Sequence, residues 1–311
     1  MTPVPGSPLP ASRSPSRPSS RILLLGANGQ IGWELRRTLG ALGEVMALDS
    51  RALDLTDADA VRARVRAVAP ACIVNAAAYT AVDKAESEPG RAHAVNALAP
   101  GVLAEEAART NAVLVHYSTD YVFDGSGEAP WREDDATGPL NVYGATKLEG
   151  ECAIAAAGCR HLLFRTAWVY GLRGSNFLLT MRRLMRERPE LKIVADQIGA
   201  PTWCRDVAEA TAQVLAQVGV CGSAPDDVRW GVYHMTNAGE TSWHGFAEAI
   251  RELDEFDETV VPAHLLPIPG SDYPTPARRP LNSRLDNDKL VRTFGLHLRD
   301  WREALALCMG G

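Results

Sequence analysis

From Arg21 onward the chain alternates short apolar runs with stretches whose apolar residues return at helical spacing. Residues 22–25, 45–48, 72–74 and 113–115 are continuous apolar runs of strand length. Between them, helical patterns run through Trp33-Glu34-Leu35-Arg36-Arg37, around 61–68 and over about 92–109. Strand, helix and strand repeated in this way predict a parallel sheet with helices on both faces, and ligands of such sheets bind at the carboxyl edge. The alternation then continues more loosely, with a helix to about 157, a strand over 161–164, a helix over about 176–188, a strand over 191–194 and a helix over 206–218. Residues 261–280 are rich in proline, and X-Pro steps favour extended or turn geometry over regular helix, so this part of the chain is expected to be built partly from loops. The expected architecture is α/β: a Rossmann-like doubly wound parallel sheet over 21–168 and a smaller C-terminal lobe over 169–311 that covers a substrate and returns some segments to the sheet.

Composition narrows the class. The chain has 311 residues, 46% hydrophobic and 23% charged, which is enough to bury a large core. A formal net charge of -6 argues against nucleic acid or an anionic membrane as the main partner, since either asks for a basic surface. No apolar run approaches the roughly 18 residues that span a bilayer. Residues 1–20 hold six prolines and six serines and lack the apolar stretch of a secretory signal, so they read as a disordered tail. Cytoplasm is the default compartment. Cys72, Cys152, Cys159, Cys204, Cys221 and Cys308 are scattered, which predicts free thiols and neither disulfides nor zinc. The seven histidines are loose singles and read as structural.

Chemistry enters with three motifs. Gly26-Ala27-Asn28-Gly29-Gln30-Ile31-Gly32 follows a strand and opens a helix, the setting in which glycines let a pyrophosphate approach backbone amides at a positive helix end. Asp49 ends the second strand 23 residues after Gly26, where a carboxylate accepts from an adenosine ribose hydroxyl or simply holds a turn. That carboxylate leans towards NADH, whereas Ser50 and Arg51 beside it accommodate NADPH, and both stay open. Asn75-Ala76-Ala77-Ala78 offers small side chains where a cofactor passes, or close packing; Thr56 or Asp57 makes a helix N-cap. Tyr143 and Lys147, four apart on one helix face, place an ammonium where it can favour a phenolate. Bringing a tyrosine from about 10 to about 7 takes roughly 4 kcal/mol, which a cation and a bound nicotinamide could share. With Ser118-Thr119-Asp120 upstream, the three pieces describe a site that reduces a carbonyl.

Together, Gly26-x-x-Gly29-x-x-Gly32, Ser118-Thr119-Asp120-Tyr121-Val122-Phe123 and Tyr143-x-x-x-Lys147 resemble the extended short-chain dehydrogenase/reductases. Further strings resemble one branch, the dTDP-4-dehydrorhamnose reductase family, over about 21–300: Asn75 to Glu86, Pro139-Leu140-Asn141-Val142-Tyr143-Gly144, Arg165-Thr166-Ala167-Trp168-Val169-Tyr170, Asp196-Gln197-Ile198-Gly199-Ala200-Pro201-Thr202 and Tyr273-Pro274-Thr275-Pro276-Ala277-Arg278-Arg279-Pro280. The resemblance implies hydride transfer from NADH or NADPH to carbon 4 of dTDP-4-dehydro-β-L-rhamnose, the last step of dTDP-L-rhamnose synthesis. It implies that Tyr143 gives the proton, Lys147 holds the nicotinamide ribose and Thr119 orients the carbonyl. Asp54, Leu55, Ala78, Tyr79, Thr80 and Tyr117 would line the cofactor, Asp120 and Trp168 would touch the sugar, and Arg279 would meet the diphosphate. Nucleotide-sugar dehydratases of the superfamily place Glu after the Asp as a base, and this chain has Tyr121 there. Some reductases of the family bridge a homodimer with Mg²⁺ through surface glutamates; Glu34 matches one position, and Arg205 stands where another acid is expected. Two other functions fit the same motifs: a non-catalytic cofactor-binding subunit like the β subunit of methionine adenosyltransferase, and a nucleotide-sugar epimerase.

Overall fold

Five of the apolar runs become parallel strands: β1 (Arg21–Leu25), β2 (Glu44–Leu48), β3 (Cys72–Asn75), β4 (Val113–Thr119) and β5 (His161–Thr166). A computed structural model describes residues 21–219, 228–256 and 261–310; the tail 1–20 and Cys221 lie outside the described residues. A sixth strand, Gly231–His234, joins beyond β5, and the order across the sheet is Gly231–His234, β5, β4, β3, β1, β2. Every neighbouring pair is parallel. The chain goes from β1 outward to β2 and then returns to the other side of β1 as β3, so the order reverses between β1 and β3. A crevice opens at such a reversal, at the carboxyl ends of the strands.

Both faces of the sheet are apolar because both are covered. Ile22, Leu24, Val74, Val115 and Phe164 pack with Leu35 of the Gln30–Thr38 helix and Val207 and Val214 of the Cys204–Val218 helix. Leu23, Leu25, Ile73, Leu114 and Leu163 face the other way, onto Val61 and Val65 of the Ala58–Val68 helix, Leu103 of Ala99–Thr110 and Ile154 of Val142–Ala156. A separate apolar cluster holds Tyr170, Leu178, Met181, Leu191, Phe246, Ile250, Leu265 and Trp301 together. It belongs to the helices Phe177–Glu187, Trp243–Leu253 and Trp301–Gly310 and to the strands Glu190–Val194 and His264–Ile268.

The proline-rich stretch contains an extended element, within the extended or turn geometry expected of it: His264–Ile268 pairs in parallel with Glu190–Val194 from His264↔Glu190 to Ile268↔Val194. Pro267 is tolerated because this sheet has only two strands, so the missing N–H falls on an open edge. The helix over about 92–109 is a broken run, Pro89–His93, then a π-helical turn at Ala94–Leu98, then Ala99–Thr110. The widened turn points Asn96, fully buried, at the Tyr79 backbone, accepting from its N–H at 2.8 Å and donating to its carbonyl at 3.1 Å. π-bulges of this kind gather at functional sites.

Gly150 lets the Val142–Ala156 helix press on that turn, since a Cβ there would stand 2.1 Å from the Asn96 carbonyl oxygen. In an open helix Gly→Ala gains about 1 kcal/mol of helix propensity, whereas overpacking a backbone contact costs about 1–3 kcal/mol. The contact dominates here. Gly150→Ala is therefore expected to lower the melting temperature in a calorimetric scan; a raised one would show that the two segments separate freely.

Candidate active site

The Val142–Ala156 helix begins at Asn141, whose side chain accepts from the Gly144 N–H at 2.8 Å and so fixes the first turn. Gly144 brings the helix against the Tyr121 carbonyl, 2.2 Å from where a Cβ would sit. Tyr143 on this turn lies edge-on to Tyr121, with ring centroids 5.6 Å apart. Thr119, the last residue of β4, faces the Tyr143 phenol and lowers its pKa. Its Oγ1 donates to Asp120 Oδ1 at 3.0 Å and accepts from the Tyr121 N–H at 3.2 Å. Thr119, Asp120 and Tyr143 thus gather at the carboxyl end of the sheet.

Lys147 is on the same helix and buried, but its amine does not reach for the phenol. Nζ donates to the Tyr117 carbonyl at 2.6 Å and stands 3.0 Å from His116 Nε2, both on β4. The sequence predicted a tyrosine made acidic by this lysine. Instead, burial pushes Tyr143 up to about 12; Thr119 lowers it and Asp120 raises it, and the amine is not among the causes. Burial also brings Lys147 down to about 8, with Glu151 raising it. The phenol holds its proton firmly, as a donor must before it is called upon.

Asp120 is buried as well, and burial pushes its carboxyl up to about 6 against the help of Ser283 and Thr119. Its Oδ2 has no hydrogen-bond partner among the described residues. A buried acceptor left open beside a phenol and a hydroxyl suits a ligand that brings its own hydroxyl.

At the reversal of strand order, Gly26 has φ +78° and its missing Cβ would meet Ala77 N at 2.6 Å. Gly32 lies against the same turn, 2.0 Å from the Gly26 carbonyl oxygen by the same measure. Gly29 precedes the Gln30–Thr38 helix with no side-chain cap, so the first amides of that helix stay open to an anion. Asp49 accepts from Asn28 Nδ2 at 2.6 Å and from the Arg51 and Ala52 N–H groups, each at 3.0 Å, which makes it a turn aspartate facing the glycine loop. Asp54 is held by the Thr56 N–H and hydroxyl, which lower its pKa, and Asp57 caps the following helix.

The chain was compared with known proteins. A family model described as the RmlD substrate binding domain matches residues 20–310. A dTDP-4-dehydrorhamnose reductase of Burkholderia thailandensis is 51% identical over 292 residues, covering 93% of this chain and 98% of that protein. One from Escherichia coli K12 is 46% identical, covering 90% and 94%. The chain belongs to the dTDP-4-dehydrorhamnose reductase family. Among solved structures, the reductase of Clostridium acetobutylicum superposes with a TM-score of 0.84 at 38% identity, and that of Bacillus anthracis, in complex with NADP, with 0.82 at 33%; each covers 93% of this chain and 98% of that chain.

The remaining positions that the family resemblance singled out fall in three places. Ala78, Tyr79 and Thr80 form the loop beside the glycine turn, anchored by Asn96 and by the Tyr79 hydroxyl donating to Glu88 at 2.9 Å. Tyr117 offers only its carbonyl, because its ring is in the core and its hydroxyl meets Thr211 at 2.8 Å. Gln30 turns away to the second lobe, donating to the Val169 carbonyl and accepting from Asn176, while Ile31 and Leu55 pack into the clusters around them. Trp168 has φ +48°, a strained backbone for a bulky residue, and its ring stacks on Trp243 with centroids 3.6 Å apart. Arg279 is held by Asp83 in a two-pronged pair at 2.9 and 2.8 Å. Between Trp243 and Arg279 opens a cleft of about 1040 Å³ that also carries Arg188, Lys192 and Arg278.

Glu34 is paired with arginines. Arg205 Nε lies 3.3 Å and Arg37 3.6 Å from its Oε2, and among the described residues no group of three or more His, Cys, Asp or Glu could hold an ion. The sequence reading missed His116, Asn75, Asn96 and Trp243. A polar residue inside a continuous apolar strand or helix was the available signal for the first three; Trp243 had none.

Gly26→Ala combines a left-handed φ with a clash against backbone. It is expected to cost at least tenfold in dinucleotide affinity by fluorescence titration, and an unchanged affinity would place the pyrophosphate elsewhere.

Proposed function

We propose that this chain reduces the 4-keto group of dTDP-4-dehydro-β-L-rhamnose to give dTDP-L-rhamnose, with Thr119, Tyr143 and Lys147 as its catalytic residues. The observation that carries the assignment is the gathering of Thr119, Asp120 and Tyr143 at the carboxyl edge of the sheet that also bears the open glycine turn. A bound NADH or NADPH supplies the hydride. Either dinucleotide suits the turn, since Asp49 beside the glycine loop would accept from an adenosine ribose and Arg51 is exposed beside it.

The alkoxide formed at carbon 4 is strongly basic, so even a phenol pushed up to about 12 gives it a proton readily. Thr119 orients the carbonyl by turning onto it the proton now shared with Asp120. Asp120 then takes a sugar hydroxyl on its open oxygen. Trp243, with the Trp168 ring stacked on it, lines the cleft for the sugar, and Arg188, Lys192, Arg278 and Arg279 in the cleft supply positive charge for a diphosphate. The cleft is large enough for a nucleotide. Among the described residues no helix is long and apolar enough to cross a membrane, and Cys72, Cys152, Cys159, Cys204 and Cys308 are free thiols, which supports the cytoplasm as the place of action.

Mixing the protein with NADPH or NADH and enzymatically made dTDP-4-dehydrorhamnose is expected to consume the reduced cofactor, followed at its absorbance band. An epimerase returns its hydride and a non-catalytic subunit transfers none, so absence of consumption with both cofactors would refute the assignment. Tyr143→Phe should cut kcat by about 10² to 10⁴ while cofactor affinity stays within a few-fold, because only the proton donor is lost. Near wild-type turnover in that variant would mean that another acid acts. Lys147→Met should weaken both rate and cofactor binding; a full-strength cofactor titration would remove Lys147 from the ribose.

A further inference from the structure

Asn75 closes β3, is fully buried, and its amide faces two groups at once. The Ala77 N–H donates to Asn75 Oδ1 at 3.2 Å, which fixes Nδ2 on the opposite side, 3.1 Å from His116 Nδ1. An amide nitrogen only donates, so His116 Nδ1 must accept, and a neutral imidazole accepting there carries its proton on Nε2. The ring is neutral, because burial holds its pKa well below the ordinary value. His116 Nε2 stands 3.0 Å from Lys147 Nζ. An ammonium has three donors and no acceptor, so an Nε2–H aimed at it would set two donors against each other out of reach of water. An amine has a lone pair. It accepts from His116 and still donates to the Tyr117 carbonyl at 2.6 Å.

We propose that His116 is a positioning residue for Lys147: Asn75 holds its ring as the Nε2–H tautomer, and that N–H makes the lysine of the ligand-free protein an uncharged amine. The groups facing Lys147 are Tyr143 and Glu151 on its own helix and His116 on β4. Glu151 favours the ammonium, yet its carboxylate is gripped by Arg165 of β5 at 3.0 and 2.6 Å. Burial with that residual help leaves the amine near 8, and a donor on its lone pair carries it further down. The neighbouring phenol then has no cation beside it and keeps its proton. The proposal rests on the reading that Lys147 serves the reaction, but it is testable without turnover.

The chain has four lysines, Lys84, Lys147, Lys192 and Lys289, and seven histidines, so lysine ¹³Cε and histidine ring ¹⁵N signals can be assigned one by one. In the wild-type protein His116 is expected as the Nε2–H tautomer and Lys147 as the lysine that titrates lowest. His116→Phe removes the donor and should move the Lys147 titration up by about one pH unit, with the pH profile of kcat/KM following it. Asn75→Leu frees the ring to carry its proton on Nδ1 and should move the titration the same way. An Nδ1–H ring in the wild type, or a downward move in His116→Phe, would overturn the proposal, since the ring would then be accepting from an ammonium. If the variants do not fold, the wild-type tautomer alone decides. The expected spectra in a protein without reductase activity would fault the functional reading and leave the lysine assignment standing.

Discussion

Burying an amine is the constraint around which the site is arranged. Lys147 is 1% exposed, and a charge or a polar head taken out of water must find partners or give up its charge. The Val142–Ala156 helix turns its polar residues inward, with Tyr143, Lys147 and Glu151 spaced by four on one face. It can do so because Gly144 and Gly150 let its backbone lie directly on the Tyr121 and Asn96 carbonyls. At that distance each inward side chain meets a fixed partner: Thr119 for Tyr143, β4 for Lys147 and Arg165 for Glu151. The buried Glu151–Arg165 pair adds little net stability by itself, but removing either partner would strand the other's charge beside the amine.

The same network joins the two ends of the site. Ala77 N lies where a Cβ on Gly26 would be, and its proton goes to Asn75. Asn75 holds His116, and His116 faces Lys147. The glycine turn and the helix that bears the acid are therefore registered through one buried chain of hydrogen bonds across β3 and β4, not through loops. A side chain that must meet both a dinucleotide and a sugar profits from that rigidity.

The sheet was legible because parallel strands covered on both faces are short apolar blocks, and the first five strands are such blocks. The sixth was not, because Gly231-Val232-Tyr233-His234 is short and mixed, and only its pairing with β5 makes it a strand. The proline-rich stretch left extended and turn geometry both open, and only the pairing with Glu190–Val194 selects a strand, where an open edge excuses the missing N–H of Pro267. In the site, spacing placed Tyr143 and Lys147 on one helix face and the family resemblance pointed to Thr119, while the direction in which Lys147 reaches was not readable. Helical periodicity places two residues on one face, but where a four-carbon stem ends depends on acceptors that come from distant strands. His116 looked like a loose histidine for the same reason: its partners lie 31 and 41 residues away in sequence.

Charge tells a similar story at the cleft. A chain of net charge -6 is a poor general host for a nucleotide diphosphate, so attraction has to be local. Arg188, Lys192, Arg278 and Arg279 line the cleft, with Glu190 and Asp196 as the acids among them. Arg279 differs from the others in being half-buried and already paired, with Asp83 held below the ordinary carboxylate range by it. Asp83 takes one face of the guanidinium fork and fixes its plane, leaving donors directed outward in a set orientation. A guanidinium aligned in this way before the ligand arrives loses less freedom on binding than a loose one, at the cost of some attraction shared with the carboxylate. The cleft thus carries exposed cations together with one cation whose orientation is already set by a carboxylate.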